Sequence, residues 1–216
     1  GEKVAIVGET GAGKTTIVKL LMRFYDIDAG SIKIDGTDIS QYDKHSLRSL
    51  IGMVLQDSWL FSDTIESNIH YGNLDASEND VVDASKQVYA DNFIRQLPDG
   101  YETMLNEDSD NISHGQKQLL TIARTILSTK EVLILDEATS SVDTRTEKLI
   151  QKAMDKLMEN KTSFIIAHRL STIRNADKII VIENGKIIEQ GNHEELLAKK
   201  GYYYHTLNAQ SKENIR

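Results

Sequence analysis

Apolar positions along this chain fall into two rhythms. Short aliphatic runs recur: Val4 to Val7, Ile51 to Leu55, Val132 to Asp136, Ser163 to Ala167 and Lys178 to Glu183. Each is too short for a helix and has the β-branched character of a strand buried on both faces. Ser31 to Ile34 reads as a further strand closed by the turn pair Asp35-Gly36, and Lys186 to Gln190 completes a hairpin around Asn184-Gly185. Between these runs the spacing becomes helical, at Thr15 to Met22, Glu78 to Val88, Gln116 to Leu127 and Thr144 to Met158. Glu194 to Lys199 and Tyr202 to Leu207 read as closing helices, and the last six residues as a frayed tail. From Asp57 to Leu127 the strand-like runs vanish. The predicted fold is therefore α/β, a mainly parallel sheet flanked by helices in 1–56 and 128–216, with a helical subdomain inserted at 57–127.

Composition narrows the class only a little. The 216 residues suffice for one large α/β domain, and 39% hydrophobic with 27% charged residues is ordinary for a globular protein. A net charge of −8 argues against a nucleic-acid partner, which would ask for a basic face. With no cysteine, disulfides and thiolate metal sites are excluded, and a reducing compartment is permitted. No apolar run approaches the ~18 residues of a membrane span.

The first run leads into Gly8-Glu9-Thr10-Gly11-Ala12-Gly13-Lys14-Thr15, followed by Thr16. This fits G-x-x-x-x-G-K-[ST] at each fixed position, between a predicted strand and a predicted helix. Glycines let successive backbone N–H groups point at one anion, and the helix behind them adds its positive end. Lys14 then reaches the outer phosphates of a nucleotide and Thr15 offers a hydroxyl to Mg²⁺. Four fixed positions would coincide by accident in roughly one chain in a hundred at ordinary glycine usage. The predicted core is thus a P-loop NTPase (RecA-like) core.

Val132 to Leu135 ends in Asp136-Glu137. Alone, an acidic pair after a strand is most often a helix start. Downstream of a phosphate loop, at the carboxyl end of a strand where ligands gather, Asp136 suits holding Mg²⁺ and Glu137 suits polarising an attacking water.

Four further segments narrow the class. Asn111-Ile112-Ser113-His114-Gly115-Gln116 resembles the signature motif of ATP-binding cassette (ABC) proteins. Gln56 resembles that family's Q-loop glutamine, Ser140-Ser141-Val142-Asp143 its D-loop, and His168 its switch histidine. The run Gln56 to Phe61 with Thr64 to Ile69, and the run His168 to Ile173 with Ala176-Asp177, resemble the exporter branch, as does Gly191 to Leu196. The resemblance covers essentially the whole chain. It implies the nucleotide-binding domain of an exporter of multidrug or lipid type, using ATP and Mg²⁺. It further implies a second such domain stacked head to tail and transmembrane domains as partners, on the cytoplasmic face of the cell membrane. In that arrangement Ser113, Gly115 and Gln116 face ATP held by the partner, Gln56 senses Mg²⁺ and the attacking water, His168 contacts the γ-phosphate, and Asp143 links the two sites. Trp59, Leu60 and Phe61 divide between core residues and a docking patch for the transmembrane partner.

Two departures stand out. The family places an adenine-stacking aromatic about two dozen residues before its phosphate loop, whereas seven residues precede Gly8 here. The antiparallel N-terminal strands are therefore expected to be partly missing, with weaker nucleotide affinity. His114 also occupies a signature position where glycine is usual. With Glu137 and His168 intact, that combination suggests one half of a heterodimeric exporter. The alternatives weighed are an importer subunit, a soluble ABC ATPase of DNA repair or translation, and a regulatory domain that clamps ATP without turnover. Glu137 and His168 speak against the clamp. The absence of a long heptad run and of a second tandem domain speaks against the soluble classes.

Overall fold

The computed structural model describes residues 1–55, 59–106, 110–137, 142–167 and 169–213, with side chains to residue 208. Eight strands, β1 (Lys3–Val7), β2 (Lys33–Ile34), β3 (Thr37–Asp38), β4 (Ile51–Val54), β5 (Val132–Asp136), β6 (Thr162–Ile166), β7 (Lys178–Glu183) and β8 (Lys186–Gly191), are formed among the described residues. Ten helices accompany them: α1 (Lys14–Leu21), α2 (Lys44–Ser49), α3 (Ile65–His70), α4 (Glu78–Gln87), α5 (Asp91–Ile94), α6 (His114–Leu127), α7 (Thr144–Leu157), α8 (Leu170–Arg174), α9 (His193–Lys199) and α10 (Tyr202–Glu213). The chain divides into two compact units, residues 1–51, 134–138 and 162–216, and residues 52–133 and 139–161.

In the first unit the strand order is β5–β6–β1–β7–β8. Strand β1 is central and pairs in parallel with both neighbours, Val4 opposite Phe164 of β6 and Val7 opposite Val181 of β7. Its residues Val4, Ala5 and Ile6 are buried, as a strand covered on both faces requires. Strand β8 turns back antiparallel to β7 through Asn184 (φ 50) and Gly185 (φ 75), both left-handed, the signature of a type I′ hairpin. The predicted strand at Ser31 to Ile34 shrinks to β2. It forms only a two-stranded ribbon with β3, because Asp35 (φ 47) and Gly36 (φ 82) make a second tight turn. Helix α10 continues through Glu213, where the tail was expected to fray from residue 211.

The second unit carries β4 beside the first residues of β5, and the helices α3 to α7. Helix α6 is its axis, packing against α3, α4 and α7. It buries Leu119, Leu120, Ile122, Ala123 and Leu127 nearly all round, the mark of a helix surrounded by others. Helix α7 is one-sided instead. Ile150, Ala153, Met154 and Leu157 are buried at helical spacing while Lys148, Lys152 and Asp155 face solvent. Sequence periodicity missed α2, α3, α5 and α8, all of six residues or fewer, too short to show two turns of pattern.

Ile6 is 1% exposed and packs with Ala12 and Ile182, joining the strand, the glycine loop and β7. Ile6→Ala is expected to destabilise the first unit by about 2–5 kcal/mol, read as a lowered urea midpoint at unchanged slope.

Candidate functional site

Residues 8–13 form the turn between β1 and α1, and its shape is set by three contacts. Gly8 sits where an added Cβ would lie 2.3 Å from the carbonyl oxygen of Ile182, so only a residue without a side chain lets the loop leave β1 along β7. Gly11 (φ 83) and Gly13 (φ 109) adopt left-handed conformations that favour glycine. The Gly185 N–H donates to the Ala12 carbonyl at 2.8 Å, clipping the loop to the β7–β8 hairpin, while Ala12 N–H closes a turn onto Glu9 O at 3.1 Å. Tyr202 of α10 adds an outer tether, its hydroxyl donating to Glu9 Oε1 at 3.2 Å.

No side chain caps the start of α1, so its first-turn N–H groups keep their capacity for an anion. Glu9, Thr10, Gly11, Thr15 and Thr16 are exposed around this opening, whereas Lys14 is 8% exposed. Its ammonium turns inward and donates to Gly8 O (2.6 Å) and Glu9 O (2.9 Å). Burial pulls the Lys14 pKa below its ordinary value, and the nearby Asp136 carboxylate pulls the other way. That coupling brings the second motif to the first. Asp136 is the last residue of β5, and Glu137 follows with its N–H donating to Ile166 O of β6 at 3.2 Å. Glu137 is 6% exposed, and its Oε1 accepts from the hydroxyl of Thr172, itself 8% exposed on α8.

The oxygen donors Thr15 and Asp136 fit Mg²⁺, which takes hard oxygen ligands and keeps waters and phosphate oxygens for the remainder. Among the described residues no group of three or more His, Cys, Asp or Glu side chains could hold a metal ion. Gln56, His168, Ser140 and Ser141 lie outside the described residues.

The signature segment belongs to the second unit. Helix α6 begins at His114, two residues before the predicted start, because Ser113 is its N-cap. Gln116 N–H donates to Ser113 Oγ (3.3 Å) and Ser113 N–H donates to Gln116 Oε1 (2.8 Å), a reciprocal capping box. Ser113 accepts here, so its own hydroxyl proton stays available to a ligand. Gly115 is buried, and a Cβ there would meet Thr146 Cγ2 at 2.4 Å and Val142 Cγ1 at 3.2 Å. Asp143 caps α7, accepting from Arg145 N and Thr146 N at 3.0 Å, and its hydrogen bonds with Thr146 hold the carboxyl below its usual range. His114 Nδ1 is buried with no hydrogen-bond partner among the described residues.

The segment after residue 58 is part core and part surface. Leu60 is buried at 4% exposure, whereas Trp59 stays 64% exposed. What holds it is Asn68, 1% exposed, which donates to Phe61 O and Thr64 O and accepts from Phe61 N and from Arg124. Arg124 also donates to Asn68 O and Trp59 O and lies over the rings of Phe61 and Tyr71. Burial lowers its pKa to about 10, leaving it charged at neutral pH. Asn68 and Thr172 lie in runs that carry the exporter resemblance, yet the sequence assigned no role to them, nor to Arg124 and Tyr202; each is explained by its tertiary partner.

Residues 1–140 match the sequence profile of the family described as "ABC transporter". The chain belongs to the ABC transporter family. It is 59% identical over 204 residues to the "Fatty acid ABC transporter ATP-binding/permease protein" of Mycobacterium bovis, covering 94% of this chain and 32% of that protein. It is 50% identical to the "ATP-dependent lipid A-core flippase" of Desulfotalea psychrophila, covering 97% of this chain and 37% of that one. Its structure resembles a bacterial Atm1-family ABC exporter with ATP bound (TM-score 0.89, 46% identity), covering 97% of this chain and 36% of the exporter. The ABC domain thus spans about a third of the length of the relatives it matches. The P-loop α/β fold with its mostly parallel sheet is the fold of this family. No helix among the described residues is long and apolar enough to cross a membrane.

Gly115→Ala sets two effects against each other. A helical alanine gains about 1 kcal/mol over glycine, but forcing a methyl against Thr146 costs about 1–3 kcal/mol. Gly115→Ala is therefore expected to lower the thermal midpoint of this domain. Adding Thr146→Ser, which removes the clashing methyl, is expected to restore it.

Proposed function

We propose that this ABC domain binds ATP with Mg²⁺ and hydrolyses it to ADP and phosphate. It would work as one of two domains stacked head to tail that drive export by transmembrane segments. The observation that carries this reading is the uncapped, glycine-built loop at α1 with Lys14 inside it, coupled to Asp136 and followed by the buried carboxylate of Glu137.

In this reading Gly8, Glu9, Thr10, Gly11, Ala12, Gly13 and Thr16 supply the backbone cradle. Lys14 exchanges its two carbonyl acceptors for phosphate oxygens, a stronger, charge-assisted pair of bonds. Thr15, Asp136 and Gln56 would hold Mg²⁺, which neutralises charge on the phosphates when bound. Glu137 takes a proton from water as the water oxygen bonds to the γ-phosphorus. The bond from that phosphorus to the bridging oxygen breaks, and ADP departs with the electron pair. His168 would steady the charge on the γ-phosphate. Ser113, Gly115 and Gln116 would close over ATP held by the partner, and Asp143 would connect the two sites.

We assign residues 1–56 and 128–216 to the ATPase core and 57–127 to the signature subdomain. The exposed Trp59 and Tyr71, held by Arg124, suit a docking face for a transmembrane partner. The domain would work at the cytoplasmic face of the cell membrane. The names of its relatives, a fatty acid transporter and a lipid A-core flippase, favour lipid-like cargo.

ATP hydrolysis is expected to rise faster than linearly with protein concentration, since two copies make a site. Glu137→Gln is expected to remove about 10²- to 10⁴-fold of the rate while leaving nucleotide binding intact. Lys14→Ala is expected to weaken nucleotide binding itself, measured with a fluorescent ATP analogue. A rate unchanged in Glu137→Gln would refute the assignment of the base.

A further inference from the structure

Threonine hydroxyls inside helices usually donate to the carbonyl one turn back. Three threonines here do so: Thr121 to Lys117 O (3.0 Å), Thr125 to Thr121 O (2.9 Å) and Thr206 to Tyr202 O (3.0 Å). The Thr172 hydroxyl reaches out of its helix, donating to the carboxylate of Glu137, 35 positions earlier in the chain. Both side chains are buried, Thr172 at 8% and Glu137 at 6% exposure, so bulk water competes little for either group. A carboxylate this deep requires donors, and a hydrogen bond to a charged acceptor is among the stronger kinds.

We propose that Thr172 is the positioning residue for Glu137, its hydroxyl fixing the orientation of the carboxylate that receives the proton from the attacking water. The proposal rests on the assignment of Glu137 as the base. The main chain of Glu137 is held by its N–H bond to Ile166 O at 3.2 Å, and the Thr172 hydroxyl acts on its side chain. Thr172 suits that task because a β-branched side chain has few rotamers. Its helix is also anchored, by Ile173 N–H to Arg169 O at 3.2 Å and by the buried Ile173 side chain. Thr172 stands four residues after His168, so one short segment carries both the candidate γ-phosphate contact and the group that orients the base.

The test compares steady-state ATP hydrolysis by Thr172→Val, Thr172→Ser and Glu137→Gln in this chain, with nucleotide affinity and thermal midpoint measured alongside. Thr172→Val is expected to lower kcat about tenfold or more at an unchanged KM, the effect of losing one hydrogen bond to a charged group. Thr172→Ser, which keeps the hydroxyl, is expected to recover most of the rate. In the Glu137→Gln background, Thr172→Val is expected to cause no further loss. If Thr172→Val fails to fold, Thr172→Ala against Thr172→Ser makes the same contrast. A Thr172→Val enzyme with normal kcat, beside an inactive Glu137→Gln, would overturn the positioning role and leave the base standing. Valine and serine losses that track a falling thermal midpoint would equally overturn it, as a structural effect. A rate that Glu137→Gln leaves unchanged, or no turnover at any concentration, would remove the base and this proposal together.

Discussion

The absence of a side chain at Gly8 is the constraint on which the nucleotide site depends. Strand β1 ends at Val7 opposite Val181, and the next residue must pass the carbonyl of Ile182 with no room for a Cβ. The register shift between Val181 and Ile182 falls at the same level, where β7 changes its pairing with β8. From there the hairpin turn brings the Gly185 N–H to Ala12 O, and the loop is held from two sides by backbone alone. A loop built this way keeps its own N–H groups for a ligand, and α1 starts without a side-chain cap for the same reason. The Tyr202 hydroxyl on Glu9 extends this support outward, binding the loop to the last helix of the unit.

Charge is arranged around that frame with little slack. Burial disfavours the Lys14 ammonium, and the Asp136 carboxylate partly offsets that penalty. Removing Asp136 would leave the buried Lys14 ammonium without that offset. The two carbonyls that accept from Lys14 are neutral acceptors, weaker than the phosphate oxygens they stand in for. The free loop is therefore satisfied but not optimal, a state that a polyphosphate improves without first disrupting a strong ion pair. Glu137 differs, since its buried carboxylate accepts from a neutral hydroxyl, that of Thr172.

Where a motif is written as local spacing, its place in the fold was legible in the sequence. The phosphate loop, the acidic pair after β5 and the capping residues Ser113 and Asp143 are consecutive or nearly so, and the structure places them at the strand ends and helix starts their spacing required. Elements shorter than two turns or two strand repeats, such as α3, α8 and β3, give periodicity too little to work with. Long-range partners were invisible for another reason. Nothing in the spacing of Thr172 points to Glu137, 35 residues away, and nothing around Asn68 announces the four hydrogen bonds that hold it. Gly115 was read as facing ATP held by a partner, and packing adds a reason the sequence could not offer, the methyl of Thr146.

That double use of the signature segment bears on how a paired site would be held together. Ser113 and Gln116 satisfy each other in the capping box, Asp143 satisfies the start of α7, and Gly115 closes the packing of α6 on α7. None of these groups is left wanting a partner when the chain is alone, so none drives two chains together. What remains is the dipole at the start of α6 and the free hydroxyl proton of Ser113, both of which answer to negative charge. In the proposed dimer that charge is the γ-phosphate, and hydrolysis moves it off the nucleotide. Association would then depend on the nucleotide rather than on apolar surface, and splitting one phosphate bond would be enough to loosen it. His114 alone brings an unpartnered nitrogen to that helix start, which makes it the residue through which this copy of the site would differ from one with a regular signature.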